Sequence, residues 1–222
     1  MKRIYTLLAL ALISGSVAAQ TKTEGVTFGV RAGVNLSKIA YSGSDFDSQD
    51  GKDIKDAQKS LTSFSFGGYA NIPVSGKFSI QPGLSLSGKG SKTEAVKEES
   101  SYKLKTSLMY IEVPVNAVFN FDGFYIGAGP YAAYGIAGKN KLEISGEGES
   151  INVEEDVKFG SGEEDDFKPF DFGANILAGY KLESGLNFGV NYGLGLANLQ
   201  SQGTSSNKAS NRVISFLVGF SF

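Results

Sequence analysis

The eleven residues RVISFLVGFSF, at positions 212–222, alternate with a period of two. One face carries Ile214, Phe216, Val218, Phe220 and Phe222, and the other carries Ser215, Leu217, Gly219 and Ser221. A period of two is the repeat of a β-strand, whose successive side chains point to opposite sides. The segment therefore predicts a strand with one strongly apolar face.

The same alternation occurs in seven earlier segments, so an all-β fold of eight strands is predicted. These segments are 26–37, 63–72, 77–87, 102–121, 124–138, 171–181 and 186–196. The connections between them are alternately long and short, and the short ones are PVSGK, DG and ESG. Tight turns at one end and long loops at the other are typical of transmembrane barrels. We therefore predict a closed eight-stranded antiparallel up-and-down transmembrane β-barrel.

The composition of the less apolar face of each strand also supports a transmembrane barrel. It consists mainly of Gly, Ser, Asn and Thr with few charges, which suits the cramped interior of eight strands. A soluble barrel, the alternative fold, needs a charged exterior. The apolar face is therefore expected to meet lipid, with aromatic girdles near both strand ends. The expected outer girdle comprises Phe64, Phe66, Tyr110, Tyr134 and Phe172.

Two irregularities interrupt the alternation. In the fourth segment the apolar phase changes from Leu104, Leu108 and Tyr110 to Ile111, Val113 and Val115. A phase slip of one residue predicts a β-bulge at this point. Prolines, which cannot donate to a strand ladder, lie inside three strands at Pro82, Pro114 and Pro130. Local bulges are predicted there too.

The N-terminus has the order of a secretory signal peptide. Lys2 and Arg3 precede the apolar run Ile4–Ile13, and small residues follow up to Ala19. Ten apolar residues are too few for a spanning helix, which needs about 20; a retained N-terminal anchor is the alternative. The predicted organisation is a signal peptide at 1–19, a short segment at 20–24 and an outer-membrane barrel domain at 25–222.

Composition excludes several kinds of site. The chain has no Cys and no His, so disulfides, thiolate metal sites and Ser-His catalysis are not available. Cleavage after residue 19 leaves 19 basic and 23 acidic residues, a balance that argues against a nucleic-acid partner. The Gly-x-Gly pairs lie within strands, which argues against dinucleotide binding. No cofactor is predicted.

Several motifs resemble the PorT-like outer-membrane β-barrel family, small barrels of the OmpX/OmpA type from Gram-negative envelopes. They are GVRAGVNLSKI, SLMYIEVPVNAVFNF, FYIGAGPYAAYG, DFGANILAGYKL and the Phe-terminated last strand. The resemblance covers roughly 25–222 and implies insertion into the outer membrane by the barrel-assembly machinery. That machinery would read the C-terminal strand, through Phe216, Val218, Phe220 and Phe222. Named members of the family include a component of a protein secretion apparatus, and most members have no assigned activity.

The candidate site residues are the charges expected on the inner face: Arg31, Glu112, Asp171, Lys181 and Lys77. A charge in a narrow lumen requires a partner. Arg31 and Glu112 lie near mid-strand and are expected to pair across the lumen. Asp171 is expected near the outer rim, and Lys77 and Lys181 near the periplasmic rim. Structural ion pairs are the favoured interpretation, and an ion-conducting lumen is the alternative.

The third external connection, 139–168, contains ten acidic and four basic residues. Clustered carboxylates can bind Ca²⁺, but the spacing of an EF-hand is missing, so a solvated acidic loop is favoured. Residual alternation in LEISGEGESINVEEDVKF predicts a hairpin that extends above the membrane.

Three functions remain open from the sequence. The leading hypothesis is a non-enzymatic scaffold or binding surface that acts through the external loops, as an accessory of an envelope or secretion complex. The second is a small-solute or ion pore. The third is an outer-membrane enzyme, which without His would need a Ser-Lys or carboxylate mechanism.

Overall fold

The computed structural model describes residues 25–43, 58–97, 100–146, 149–162, 164–201 and 207–222. The expected signal peptide and the segment at 20–24 lie outside the described residues. The described residues contain ten strands: β1 (Thr27–Gly43), β2 (Gln58–Lys59), β3 (Leu61–Ser75), β4 (Phe78–Lys97), β5 (Ser100–Phe121), β6 (Phe124–Gly146), β7 (Glu149–Asp156), β8 (Phe170–Lys181), β9 (Leu186–Gly195) and β10 (Asn207–Ser221). No helix in this part of the chain is long and apolar enough to cross a membrane.

Eight strands form a ring in which each pairs with two antiparallel neighbours. The order is β1, β3, β4, β5, β6, β8, β9 and β10, and β10 pairs again with β1. The β1–β10 register runs from Gly29 opposite Ser221 to Gly43 opposite Asn207. Eight antiparallel strands in up-and-down order were predicted, and this prediction is confirmed.

Short turns join the strands at one end of the ring, here named the turn end. Asp122 and Gly123 connect β5 to β6, and both have positive φ values, 48° and 85°. Such values are typical of a two-residue hairpin turn, in which Asp-Gly is a preferred pair. Phe28 and Phe222 exchange two backbone hydrogen bonds at the same end, 2.8 and 3.1 Å long. The long connections therefore lie at the opposite end, the loop end.

The two faces of the ring have the predicted character. Large apolar side chains point outward and are exposed, as in Phe64 (60%), Leu84 (58%) and Ile176 (58%). Asn35, Ser79 and Asn211 are buried on the inside. Small polar residues line the interior because eight strands leave little space within the ring.

Aromatic rings form a continuous row on the outer surface at the turn end. Their centroids are 5.2 Å apart for Phe78 and Phe119, 6.0 Å for Phe119 and Phe121, and 5.7 Å for Phe121 and Phe124. Tyr180 continues the row at 4.7 Å from Phe124. This row lies where the turn-end girdle was predicted.

The prediction of bulges at the three strand prolines is wrong. Pro82 lies opposite Val115, and the pairs on either side of this position keep one register. Pro114 opposite Tyr131 and Pro130 opposite Ala174 also lie in unshifted registers. Loss of an N–H group removes one hydrogen bond from the ladder, but it does not insert the extra residue that a bulge requires.

The phase slip of the fourth segment also has a different cause. Leu108 and Tyr110 are 2% and 0% exposed, and they share the inner side of β5 with Glu112. The β5–β6 register does shift between Met109 and Tyr110, but the extra residue is Ile136 of β6. β5 therefore keeps its phase, and Tyr110 is a lumen residue and not part of an outer girdle. What changes along β5 is the polarity of its two faces.

Candidate functional site

Three strands continue far past the length that a membrane requires. β4, β5 and β6 contain 20, 22 and 23 residues, whereas a tilted transmembrane strand needs about 9–11. Their loop-end parts, 91–97, 100–107 and 138–146, pair with one another, and β7 pairs with β6 beside them. β2 pairs with β4 at the other edge. We call this five-stranded unit the projecting sheet. It contains the hairpin that was predicted above the membrane.

The outward face of the projecting sheet is charged. Glu94 accepts hydrogen bonds from Lys59 at 2.5 Å and from Lys92. Glu143 lies 2.8 Å from Lys141 and 3.4 Å from Lys103. A further pair joins Lys139 to Glu154. A belt of this kind cannot face acyl chains, so this face lies in water beyond the membrane.

These ion pairs lower the pKa values of their carboxyl groups. Hydrogen bonds from Lys59 and Lys92 lower the pKa of Glu94 to about 2. Hydrogen bonds from Lys141 and Lys103 lower the pKa of Glu143. Because each of these groups is at least partly exposed, solvent screening keeps each pair weak, and the network orders the face more than it stabilises the fold.

The opposite, inner face of the projecting sheet is mainly apolar, and the described residues leave it exposed. Directly opposed residues share a face, and the register places Leu104 beside Leu142 and Leu142 beside Val153. Tyr102, Leu104, Ile151 and Val153 are 44%, 46%, 56% and 42% exposed. Inside the membrane the apolar residues face outward, and above it they face inward. The change of apolar phase in the sequence marks this exchange of faces.

Lys89 is at the centre of a buried charge cluster in the lumen. Its Nζ lies 2.6 Å from Glu112 Oε2 and 3.0 Å from Asp171 Oδ2. Asn211 donates to Asp171 at 2.9 Å, and the Tyr131 ring centroid lies 4.4 Å from Lys89 Nζ. We name these five residues the Lys89 cluster. Lys89 is 2% exposed, and the cluster blocks the lumen.

The structure corrects the expected partners of Arg31 and Glu112 and the expected position of Asp171. No ion pair joins Arg31 to Glu112 in the described part of the chain, since Glu112 pairs with Lys89. The guanidinium of Arg31 instead lies 3.9 Å above the Tyr69 ring centroid, in a cation–π contact. Asp171 does not lie at an open rim, because it is 1% exposed within the Lys89 cluster.

Lys89 was missed because its segment ends in GKGSK, which is typical of a loop. The signal that could have found it is the inner-face phase of Ser85 and Ser87, which continues unbroken to Lys89.

The remaining candidates lie at or near the turn end. Lys77 is an exposed residue of the turn between β3 and β4, outside the lumen. Lys181, at the end of β8, lines a cavity of about 40 Å³ together with Arg31 and Asn187. The four C-terminal residues named as an assembly signal point outward and are about half exposed. They are Phe216 (53%), Val218 (50%), Phe220 (45%) and Phe222 (59%).

A cavity of about 90 Å³, with both polar and apolar lining residues, lies in the lumen between Arg31 and Glu112. Three buried atoms of its lining residues have no hydrogen-bond partner among the described residues: Arg31 Nε, Gln81 Oε1 and Asn116 Oδ1. A cavity of this size accommodates water, which can both donate to the amide oxygens and accept from the guanidinium.

The chain between β7 and β8 closes the loop end of the lumen. This cap, residues 157–169 without the undescribed Glu163, is fixed by bonds from Val157 N to Gly138 O (2.9 Å) and from Gly135 N to Pro169 O (2.7 Å). Phe159 packs edge-on against Tyr110 with centroids 6.0 Å apart. Together with Ile39, Leu108, Tyr131 and Ala133, these residues form an apolar seal above the Lys89 cluster.

No metal site is evident among the described residues, since no group of three or more Asp or Glu side chains is arranged to hold an ion. Part of the acidic connection folds into β6 and β7, and its carboxylates Glu143 and Glu154 pair with lysines.

Comparison with known proteins gives one family and several distant structures. Residues 18–201 match the family described as outer membrane protein beta-barrel domain. No curated protein matches the chain. Ail, the attachment invasion locus protein of Yersinia pestis, is 11% identical with a TM-score of 0.41, covering 89% of this chain and 99% of that one. Neisserial surface protein A is 13% identical with a TM-score of 0.39, covering 89% and 98%. OprG of Pseudomonas aeruginosa is 11% identical with a TM-score of 0.33, covering 89% and 96%.

Proposed function

Because the chain belongs to the family of outer-membrane protein beta-barrel domains, we propose that it is a non-enzymatic binding protein or scaffold of the outer membrane that captures a partner on its projecting sheet. The bilayer holds the ring of eight strands, and the projecting sheet presents its inner face in the aqueous phase outside the cell.

The exposed apolar inner face is the observation that carries this proposal. Apolar side chains above a membrane have no lipid to cover them, and Tyr102, Leu104, Ile151 and Val153 lie together on one face. Contiguous exposed apolar patches on soluble surfaces mark interaction sites. The charged face behind it keeps the unit soluble, so the partner has a single face to bind.

The resemblance to the PorT-like family supports a more specific role as an accessory of an envelope or secretion complex. Under this proposal the signal peptide is cleaved after Ala19, and the barrel-assembly machinery inserts the chain by reading Phe216, Val218, Phe220 and Phe222. The outward position of these four side chains fits a signal read from the surface of the strand.

A pore or an enzyme fits the geometry less well. The Lys89 cluster and the cap both obstruct the lumen, so a conducting path would have to pass two closures. The buried lysine is held by two carboxylates, so it is not available as the base that a Ser-Lys nucleophile needs.

In-cell photocrosslinking tests the binding proposal. A photoreactive residue is placed at Ile151 on the inner face and, as the matched control, at Lys105 on the outward face. The inner-face position should capture one defined partner, identified by mass spectrometry, and Leu104→Ser should abolish the capture. Equal capture from both faces, or none from Ile151, would contradict the proposal.

A further inference from the structure

Within the part of the chain that the structure describes, one edge of the projecting sheet has no further strand beside it. Among the described residues β7 pairs with β6 alone, and every side chain from Ser150 to Asp156 is exposed. The opposite edge differs, because β2 contains only two residues and ends in Lys59. Short strands and lysines are the usual means of protecting a sheet edge against pairing. β7 has eight residues, with no Lys, Arg or Pro.

Backbone groups of β7 point along the sheet toward this free edge. Val157 N donates to Gly138 O at 2.9 Å, which identifies this residue pair as a hydrogen-bonded one. Such pairs alternate along an antiparallel ladder, so Ile151, Val153 and Glu155 also bond to β6. The N–H and C=O groups of Ser150, Asn152, Glu154 and Asp156 consequently face outward from the edge. These groups can donate hydrogen bonds to one added strand and accept hydrogen bonds from it.

The side chains of β7 indicate which residue types the added strand should carry. Ile151 and Val153 lie on the inner face, so the added strand should place apolar residues beside them. On the outward face lie Glu154 and Asp156, and Asp156 forms no ion pair within the described residues, although it is close to Lys139. Opposite charges on directly opposed residues stabilise a sheet, and like charges destabilise it.

A second copy of this chain is a poor occupant for the same reason. β7 carries Glu149, Glu154, Glu155 and Asp156 and no basic residue. Antiparallel pairing of two β7 strands through this edge, centred on Asn152, would bring Glu149 of each copy opposite Glu155 of the other. This arrangement places like charges against each other at both ends of the contact.

We propose that β7 is a strand-addition site for an extended segment of another protein in which apolar residues alternate with lysine or arginine. This inference rests on the function proposed above and specifies its partner. The added strand extends the projecting sheet by one strand and continues its apolar inner face. Its basic side chains lie on the outward face beside Glu154 and Asp156.

Synthetic peptides test the chemistry directly. The mature barrel in a non-ionic detergent is titrated with a fluorescent peptide of alternating valine and lysine, and binding is followed by anisotropy. A valine–glutamate peptide controls for charge, and a peptide with four valines followed by four lysines controls for alternation. Only the alternating basic peptide should bind, and salt should weaken its binding. Equal binding of the block or the acidic peptide would overturn the proposal.

A backbone variant tests the position of the added strand. Asn152→Pro removes an N–H group that faces the free edge and leaves the β6–β7 hydrogen bonds in place. It should weaken binding at least about tenfold, since it removes a hydrogen bond and obstructs the edge. Asn152→Ala, which keeps the N–H group, should bind within about twofold of the wild type. Wild-type affinity in Asn152→Pro would overturn the site.

The outcome of these variants separates the two proposals. If Leu104→Ser abolishes partner capture in cells while Asn152→Pro leaves it intact, the inner face binds the partner and strand addition is wrong. If neither variant affects capture, both proposals fail. Circular dichroism of each variant confirms that the strands are retained.

Discussion

Replacement of Lys89 by methionine should destabilise the barrel by about 3–5 kcal/mol, the usual cost of removing one partner of a buried ion pair. Lys89 Nζ contacts Glu112 Oε2 at 2.6 Å and Asp171 Oδ2 at 3.0 Å. At an effective dielectric constant of 20, each contact has a Coulomb energy of about 5–6 kcal/mol. Much of this Coulomb energy offsets the cost of desolvating the three charges, so the net loss of stability is smaller than the sum of the two Coulomb energies.

The variant leaves two carboxylates without their cation, and they differ in their surroundings. The side chain of Asp171 is 0% exposed, whereas that of Glu112 is 17% exposed and lines the lumen cavity of about 90 Å³. Most of the penalty should therefore come from Asp171. Adding Asp171→Asn to Lys89→Met should recover about half of the lost stability, because the amide keeps a hydrogen bond to Asn211 without the buried charge.

The measurement is reversible urea unfolding of the barrel, residues 20–222, in lipid vesicles. The chain has no Trp, so tyrosine fluorescence and far-ultraviolet circular dichroism serve as probes. Lys103→Met is the matched control: its pairs with Glu143 and Glu94 are 3.4 and 4.0 Å long and exposed, so it should cost less than about 1 kcal/mol. Equal losses for the two variants would refute the reasoning.

Three more predictions follow from the cap, the projecting sheet and the lumen. A Cβ added at Gly135 would overlap the ring of Phe159, so Gly135→Ala should displace the cap and speed its cleavage by trypsin. Gly193→Ala is the control, because its Cβ would lie 3.8 Å from the nearest neighbouring atom, and it should leave the rate of cleavage unchanged. The pKa of Glu94 lies below its ordinary value, so its pairing with two lysines is present above about pH 4.5 and is lost as the pH falls toward 2. Carbon NMR of the Glu94 carboxyl should show a midpoint near pH 2, and a midpoint near 4.5 would contradict the ion pairs. In planar bilayers the purified barrel should show no steady conductance, and open channels in the wild type would show that the lumen is not closed.

The strand number, the strand order and the direction of the faces were predictable because each follows from local alternation. The alternation of residues such as Phe216 and Ser215 is a local signal that does not depend on distant parts of the chain. The turn at Asp122-Gly123 is likewise specified by two adjacent residues. The hairpin above the membrane was also predictable, since alternation persists through its acidic residues.

The pairing of the lumen charges was not predictable, because it depends on which strands face each other across the ring. Arg31 and Glu112 both point inward, but Lys89 lies closer to Glu112, and Arg31 reaches Tyr69. Alternation places a residue on a face and leaves its height along the barrel axis undetermined.

The error at Tyr110 has the same physical origin as the most useful feature of the structure. Where a strand passes from lipid into water, its apolar residues change from the outward to the inward side while its backbone continues without interruption. A reader of the sequence sees the same pattern for a bulge and for such an exchange. The lysines at 103 and 105, on the face that is apolar further along the strand, distinguish the two cases.

The continuity of β5 and β6 from the turn end to the tip of the hairpin also has a mechanical consequence. A partner that pulls on the tip along the strand direction loads the hydrogen bonds of both strands in shear, so many bonds must yield together. No hinge intervenes along these two strands. Tension applied to the projecting sheet would therefore be transmitted directly to the strands of the ring.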